Sequence, residues 1–260
     1  MHHSHIDRFA HGDSPLHRLD PRAKLLAVLG YTVVLISFDR YSIAAVVPMA
    51  AAPLGWLVAA RVPLWFAFRR VLVLSPFILM LALMGPLYDR SMHAAAIGGW
   101  RFAISGGWLT ACNVGLKFAL GVMALTALMC TTTFASLGEA MARLGVPKIL
   151  VMQLGMVYRY IFELIDQSMR IRRARDFRGA SRAGLSRRLA AAGGIVGSLF
   201  VRTLERSQRV QLAMSARGYT GQPHSLTRLR FSLADGLFLA GLVGYLVFCR
   251  LVYPAMLVAG

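Results

Sequence analysis

Few residues in this sequence are equipped for chemistry, and their spacing restricts what that chemistry could be. Glu163 and Asp166 form the one close acid pair, three residues apart in a stretch of helical spacing. Arg159 stands four before Glu163, in the weaker Arg-first order but within reach. The acids therefore read as partners of nearby arginines rather than as an acid and a base. No HExxH, GxSxG or Walker sequence occurs, and the apolar runs offer no nucleophile with a base beside it, which argues against an enzyme. Lys117, with Asn113 one turn earlier, is the residue an ion-coupled carrier would use. No carboxylate within an apolar run answers it, so it reads as an interfacial or structural lysine, with a stand-alone carrier as the alternative. His2, His3, His5, His11 and His17 crowd the N-terminus. An α-amine with histidine at position three suits square-planar Cu(II) or Ni(II), but no organised ligand shell accompanies it, and the tail reads as solvated.

Two arginine-and-glycine elements remain. Arg173-Ala-Arg-Asp-Phe-Arg-Gly179 contains Ala174, Arg175, Arg178 and Gly179, and Ser215-Ala-Arg-Gly218 contains Ala216, Arg217 and Gly218. Each follows a run of helical periodicity. Glycine there supplies a left-handed C-cap at little steric cost, and an arginine in the last turn suits the helix dipole. The same arginine has a planar fork that can clamp an acidic residue of a partner groove, with the preceding alanine permitting close approach. Capping and docking both remain open on these residues alone.

The elements that must position these groups belong to a membrane protein. The 260 residues are 57% hydrophobic, with a mean hydropathy of +0.58. A soluble domain sits nearer about 45–50% apolar. Uncharged runs cover 41–60, 71–87, 118–137 and 236–249 with its flanks, and a shorter one covers 25–38. The count is five transmembrane helices, or six if 102–116 also inserts. The 25–38 run is a short or tilted span, or half of a re-entrant pair with 41–60. The first 24 residues are polar, with no apolar core of a signal peptide. Cys112, Cys130 and Cys249 have no metal or redox spacing and read as packing residues.

Charge sets the orientation. Of 29 Lys and Arg, 17 lie within 135–232, against five acids there. Positive loops stay on the cytoplasmic side, which places the N-terminus and 135–232 inside, with Arg61, Arg69 and Arg70 in an inside turn. The basic block favours anionic headgroups or an acidic protein partner over nucleic acid. From Lys148 the spacing predicts a long helix that becomes charged near Arg170. Residues 179–184 break it, and a second helix runs from Ser186, as N-cap, to Arg217. Each is about 45 Å long. Gly193, Gly194 and Gly197 place small residues on the second helix at a cost of about 1–2 kcal/mol, which predicts a close helix crossing there. The organisation is thus a cytoplasmic tail (1–24), transmembrane helices (25–134), a cytoplasmic block of two long crossed helices (135–232) and a final span (233–260). The expected fold class is an all-α integral membrane protein.

Four stretches together resemble a known family. They are His5-Ile-Asp-Arg-Phe-Ala-His11 with Ser14-Pro-Leu-His-Arg-Leu-Asp-Pro-Arg-Ala-Lys-Leu25, Leu144-Gly-Val-Pro-Lys148 with Val157-Tyr-Arg-Tyr160, and the two arginine elements. They resemble the transmembrane (T) component of energy-coupling factor transporters, most closely the cobalt-type CbiQ branch. The resemblance implies a scaffold without catalysis of its own in a bacterial inner membrane. Two ABC-type ATPases would carry ATP and Mg2+, and a separate membrane subunit would carry Co2+, leaving no cofactor on this chain. It implies that Ala216, Arg217 and Gly218 form the second docking site. At the first site Asp176, Phe177 and Arg178 interrupt the plain Ala-Arg-Gly pattern, so Arg175 and Arg178 share the assignment with Ala174 and Gly179. Nickel or another micronutrient is the alternative cargo.

Overall fold

The structure is a computed structural model, and it describes residues 12–39, 43–82, 92–97, 100–177, 184–219 and 231–252. In chain order its elements are α1 (Pro21–Ile36), α2 (Ile43–Val46), a 3-10 turn (Val47–Ala50), α3 (Ala51–Ala59) and α4 (Leu64–Ala82). A hairpin of β1 (Met92–Ile97) and β2 (Trp100–Ser105) follows. Then come α5 (Gly106–Thr131), α6 (Phe134–Arg143), α7 (Lys148–Phe177), α8 (Leu185–Ala216) and α9 (Leu233–Val247), which runs on into a π-turn (Phe248–Val252). The chain divides into two compact units, 1–140 with 228–260, and 141–227.

In the first unit, Asp20 caps α1 by accepting from Arg22 N, and Pro21 occupies the first helical position, where its missing N–H costs nothing. Ala23, Lys24, Ala27, Val28, Tyr31 and Leu35 then fall on one buried face. Its outer face is also apolar, with Leu29, Val33 and Ile36 more than half exposed. A helix apolar on all sides and bare on one of them is built for lipid. The buried face packs on α5, α9 and α3, where Tyr31 meets Trp56 edge-to-face at 5.6 Å and donates to Met49 O at 3.0 Å. Trp56 in turn faces Phe238 of α9 at 6.3 Å.

Several expected spans take a different form. Residues 43–59 are not one helix: Pro48 lacks an N–H and restricts the residue before it, so α2 stops and a 3-10 turn intervenes before α3. Arg69 and Arg70 are not in a turn but in the second turn of α4, where Arg70 lies over the Phe66 ring at 4.8 Å. The turn itself is at Arg61, which adopts φ 55, while Val62 N donates to Leu57 O and Arg61 N to Val58 O. That is a Schellman ending made without glycine. Pro76 within α4 frees the carbonyl of Leu72, and the Ser75 hydroxyl donates to it at 2.8 Å. No separate span exists at 102–116. Residues 100–105 form β2, paired from Ile97↔Trp100 to Met92↔Ser105, and 106–131 form a single helix through Lys117. Among the described residues the fold is therefore helical with one two-stranded exception. Among them too, Gly106–Thr131 and Leu233–Leu251 are long and apolar enough to cross a membrane. All three cysteines are free, and Cys130 and Cys249 are buried whereas Cys112 is exposed.

The second unit is built from α7 and α8. Helix α6 ends in a Schellman motif, with Gly145 at φ +99, Val146 N donating to Met141 O and Gly145 N to Ala142 O. Pro147 then precedes α7. Gly184, not Ser186, is the N-cap of α8, and no side chain caps that end. Helix α7 has no buried residue. A helix pair without a core of its own exposes Leu154, Val157, Ile161, Val196, Phe200 and Leu204, each 43% or more accessible.

Candidate functional site

The second arginine element is fully described. Helix α8 ends at Ala216, Arg217 is its C-cap and Gly218 takes φ +76. Tyr219 N donates to Met214 O at 3.0 Å and Gly218 N to Ser215 O at 3.0 Å, the paired bonds of a Schellman motif. Two of the last carbonyls of α8 are thus satisfied by backbone, and the Arg217 side chain is not needed to cap them. Ala216, Arg217 and Gly218 are all exposed. A Cβ placed on Gly218 would meet nothing within 4 Å, so glycine stands here for its dihedral and not for want of space. The Tyr219 hydroxyl donates to the Met152 sulfur near the start of α7. Within this unit the second element is therefore held beside one end of α7.

The first element lies at the other end of α7. Ala174 and Phe177 are exposed, Phe177 at 91%, and Arg175 is half-buried. Arg175 Nε is enclosed without a hydrogen-bond partner among the described residues. Arg178 and Gly179 lie outside the described residues. Leading into the element, Asp166, Met169, Arg170 and Arg173 line a shallow groove on α7. Met152 and Arg175 are 23 positions apart on one helix, so α7 spaces the two elements by about 35 Å.

The tie between α7 and α8 is not legible in local spacing. Arg206 Nη1 donates to Glu163 Oε1 at 3.0 Å, and the same guanidinium lies over the Tyr160 ring at 5.6 Å. Arg170 approaches Glu163 at 3.9 Å. Glu163 thus pairs with Arg206 and Arg170, not with Arg159. Glu205 and Arg209 stand 3.9 Å apart on the outside of α8, where such a pair contributes little. A Cβ at Gly193, Gly194 or Gly197 meets nothing within 4 Å. Among the described residues, the space in front of those glycines is open.

Lys117 is engaged rather than waiting for an ion. Its Nζ donates to Phe38 O at 2.6 Å, and Asn113 Nδ2 donates to Asp39 O at 3.3 Å, so both residues satisfy carbonyls just beyond the end of α1. Arg250 lies over the Phe38 ring at 5.1 Å. Of the N-terminal histidines, His17 is described and bonds to Ser14 and to a backbone carbonyl. His2, His3, His5 and His11 lie outside the described residues.

Comparison with known proteins follows the same lines. The sequence profile named CbiQ, described as a cobalt transport protein, matches residues 12–228. The energy-coupling factor transporter transmembrane protein EcfT of Bacillus selenitireducens is 30% identical over 254 residues, covering 90% of this chain and 91% of that one. The EcfT protein of Streptococcus thermophilus is 29% identical over 230 residues, covering 83% and 85%. That of Acidaminococcus fermentans is 28% identical over 280 residues, covering 96% and 98%.

Proposed function

The chain belongs to the CbiQ family of energy-coupling factor transporter transmembrane components, and from that premise we propose that it couples ATP hydrolysis by partner subunits to uptake of Co2+ across a bacterial inner membrane. It does no catalysis. Two ABC-type ATPases, which bind ATP and Mg2+, dock on the arginine elements: one on Ala174, Arg175, Arg178 and Gly179, the other on Ala216, Arg217 and Gly218. A separate membrane subunit binds the metal. Five spans hold that subunit, with the N-terminus and 135–232 cytoplasmic.

The observation that carries this reading is the ending of α8. Backbone bonds complete the cap there, so Arg217 stays exposed and its five donors are not drawn into the capping, on a turn whose dihedrals glycine fixes. The bare apolar sides of α7 and α8 add to it, since a helix pair with no core requires a partner or lipid to cover them. Gly193, Gly194 and Gly197 then serve a crossing with a helix of another subunit. Arg217→Glu is the test: the ATPases are expected to fail to co-purify with the variant, while retention of both in normal ratio would refute docking at this tip. Metal analysis of the intact complex decides the cargo, with cobalt expected and nickel the alternative.

A further inference from the structure

The motif from Ser14 to Lys24 is assigned no part in docking, yet it carries three buried polar side chains, Ser14, Asp20 and Lys24. Ser14, Asp20 and Lys24 are 2–4% exposed, as is Asp235 of α9 at 2%. Each has specific partners. His17 Nε2 lies 3.1 Å from Cys130 O, an acceptor only, so Nε2 carries the proton; Nδ1 then accepts from the Ser14 hydroxyl at 2.7 Å. Lys24 Nζ donates to Thr131 O at 2.9 Å and to His17 O at 3.2 Å. Asp20 N donates to Asp235 Oδ1 at 2.7 Å, and the other oxygen of Asp235 accepts from Ser232 N at 2.7 Å.

Three chain segments meet in this cluster. Cys130 and Thr131 are the last residues of α5, Asp235 is in the first turn of α9, and Asp20 to Lys24 begin α1. The order of the chain gives that meeting a meaning. After Thr131 only α6 remains before the 141–227 unit, and Ser232 follows its return at 228. The cluster therefore joins the segment from which the coupling unit departs to the segment by which it re-enters, with the start of α1 as the bridge.

We propose that Ser14, His17, Asp20, Lys24 and Asp235 are positioning residues: they clamp both roots of the coupling unit to α1, so that displacement at the arginine tips is delivered to the membrane helices instead of being absorbed between α5 and α9. Lys24 is central, because its ammonium reaches both the α5 end and the His17 backbone. Polar groups so buried lose their partners without replacement when one is removed, which makes the clamp sensitive to single substitutions. The inference rests on the docking reading.

The test uses the intact complex with its ATPases and substrate-binding subunit in vesicles, measuring Co2+ uptake and ATP hydrolysis together. Lys24→Met and Asp235→Ala are expected to retain both ATPases and their hydrolysis while Co2+ moved per ATP falls at least about fivefold, the low end of typical coupling effects. Leu57→Ala, a cavity in the buried face of α3, supplies a control matched for loss of melting temperature. Its ratio should be unchanged. Should Lys24→Met fail to assemble, the isosteric Asp235→Asn gives the same readout with less disturbance. An unchanged ratio in the clamp variants, or an equal fall in Leu57→Ala, overturns the proposal. Arg217→Glu separates the two readings: if it strips the ATPases while the clamp variants stay coupled, only the clamp is wrong. If it leaves assembly intact, docking itself fails.

Discussion

Gly218→Ala changes one methyl group and isolates what the cap contributes. The native residue has φ +76, and the space a Cβ would occupy is open. The penalty is thus torsional, roughly 1–2 kcal/mol for an L side chain in the left-handed region. A helix of 32 residues will not dissolve under that load. The least costly relief is to unwind the last turn, which breaks the bonds from Tyr219 N to Met214 O and from Gly218 N to Ser215 O and frees Tyr219 from Met152. Docking must then restore the tip, so affinity for the ATPase should fall by about 5- to 30-fold. Titrating purified ATPase against the detergent-solubilised chain measures this directly. Gly218→Asn, which tolerates the left-handed region better, should fall between alanine and wild type. Unchanged affinity in Gly218→Ala would refute the claim that the cap presents Arg217. An asparagine variant weaker than the alanine one would show that side-chain size at the interface, not the dihedral, is what matters.

Other predictions concern the frame around the tip. A double-mutant cycle on Glu163→Ala and Arg206→Ala, read by hydrogen exchange in α7, should give a coupling of about 0.5–1 kcal/mol, because both side chains are about 40% exposed. The corresponding cycle with Arg159 should give none. Arg61→Gly should raise thermal stability by about 0.5–1 kcal/mol, since the relief of a left-handed arginine exceeds the added chain entropy of glycine. Burial pushes the Lys24 ammonium from 10.5 down to about 8, with Asp235 and Asp20 pulling the other way. A base with a lowered folded value disfavours folding while charged, so the chain should gain about 2 kcal/mol between about pH 7.5 and 9.5, a gain absent in Lys24→Met. A melting curve showing no such difference between the two would contradict it.

What can be read in advance depends on how local each cause is. The ending of α8 is visible in the sequence because a helical run, an arginine and a glycine act within one turn. The break at Pro48 is equally local, and the proline marks it; hydropathy alone passes over it in 41–60. Lys117 misleads in the opposite direction. A charge within an apolar run looks like a boundary between 102–116 and 118–137, yet α5 continues through it because its ammonium finds a carbonyl 79 residues away. The Glu163–Arg206 pair and the meeting of Asp20 with Asp235 span 43 and 215 residues. No periodicity encodes such partners, and only the packed chain brings them together. The β1–β2 hairpin escapes a reading by hydropathy because its strands are short and the first is largely alanine, although Gly98-Gly99 stands between them in the sequence.

The central claim is that the arginine tips transmit ATP-driven motion to a metal-carrying subunit. Simultaneous recording of Co2+ accumulation and ATP hydrolysis in vesicles bearing the whole complex, wild type against Arg217→Glu, tests it most directly. Uptake is expected to require ATP in the wild type and to be lost in the variant as the ATPases leave the complex. ATP-dependent Co2+ uptake at the wild-type rate in Arg217→Glu would contradict the account.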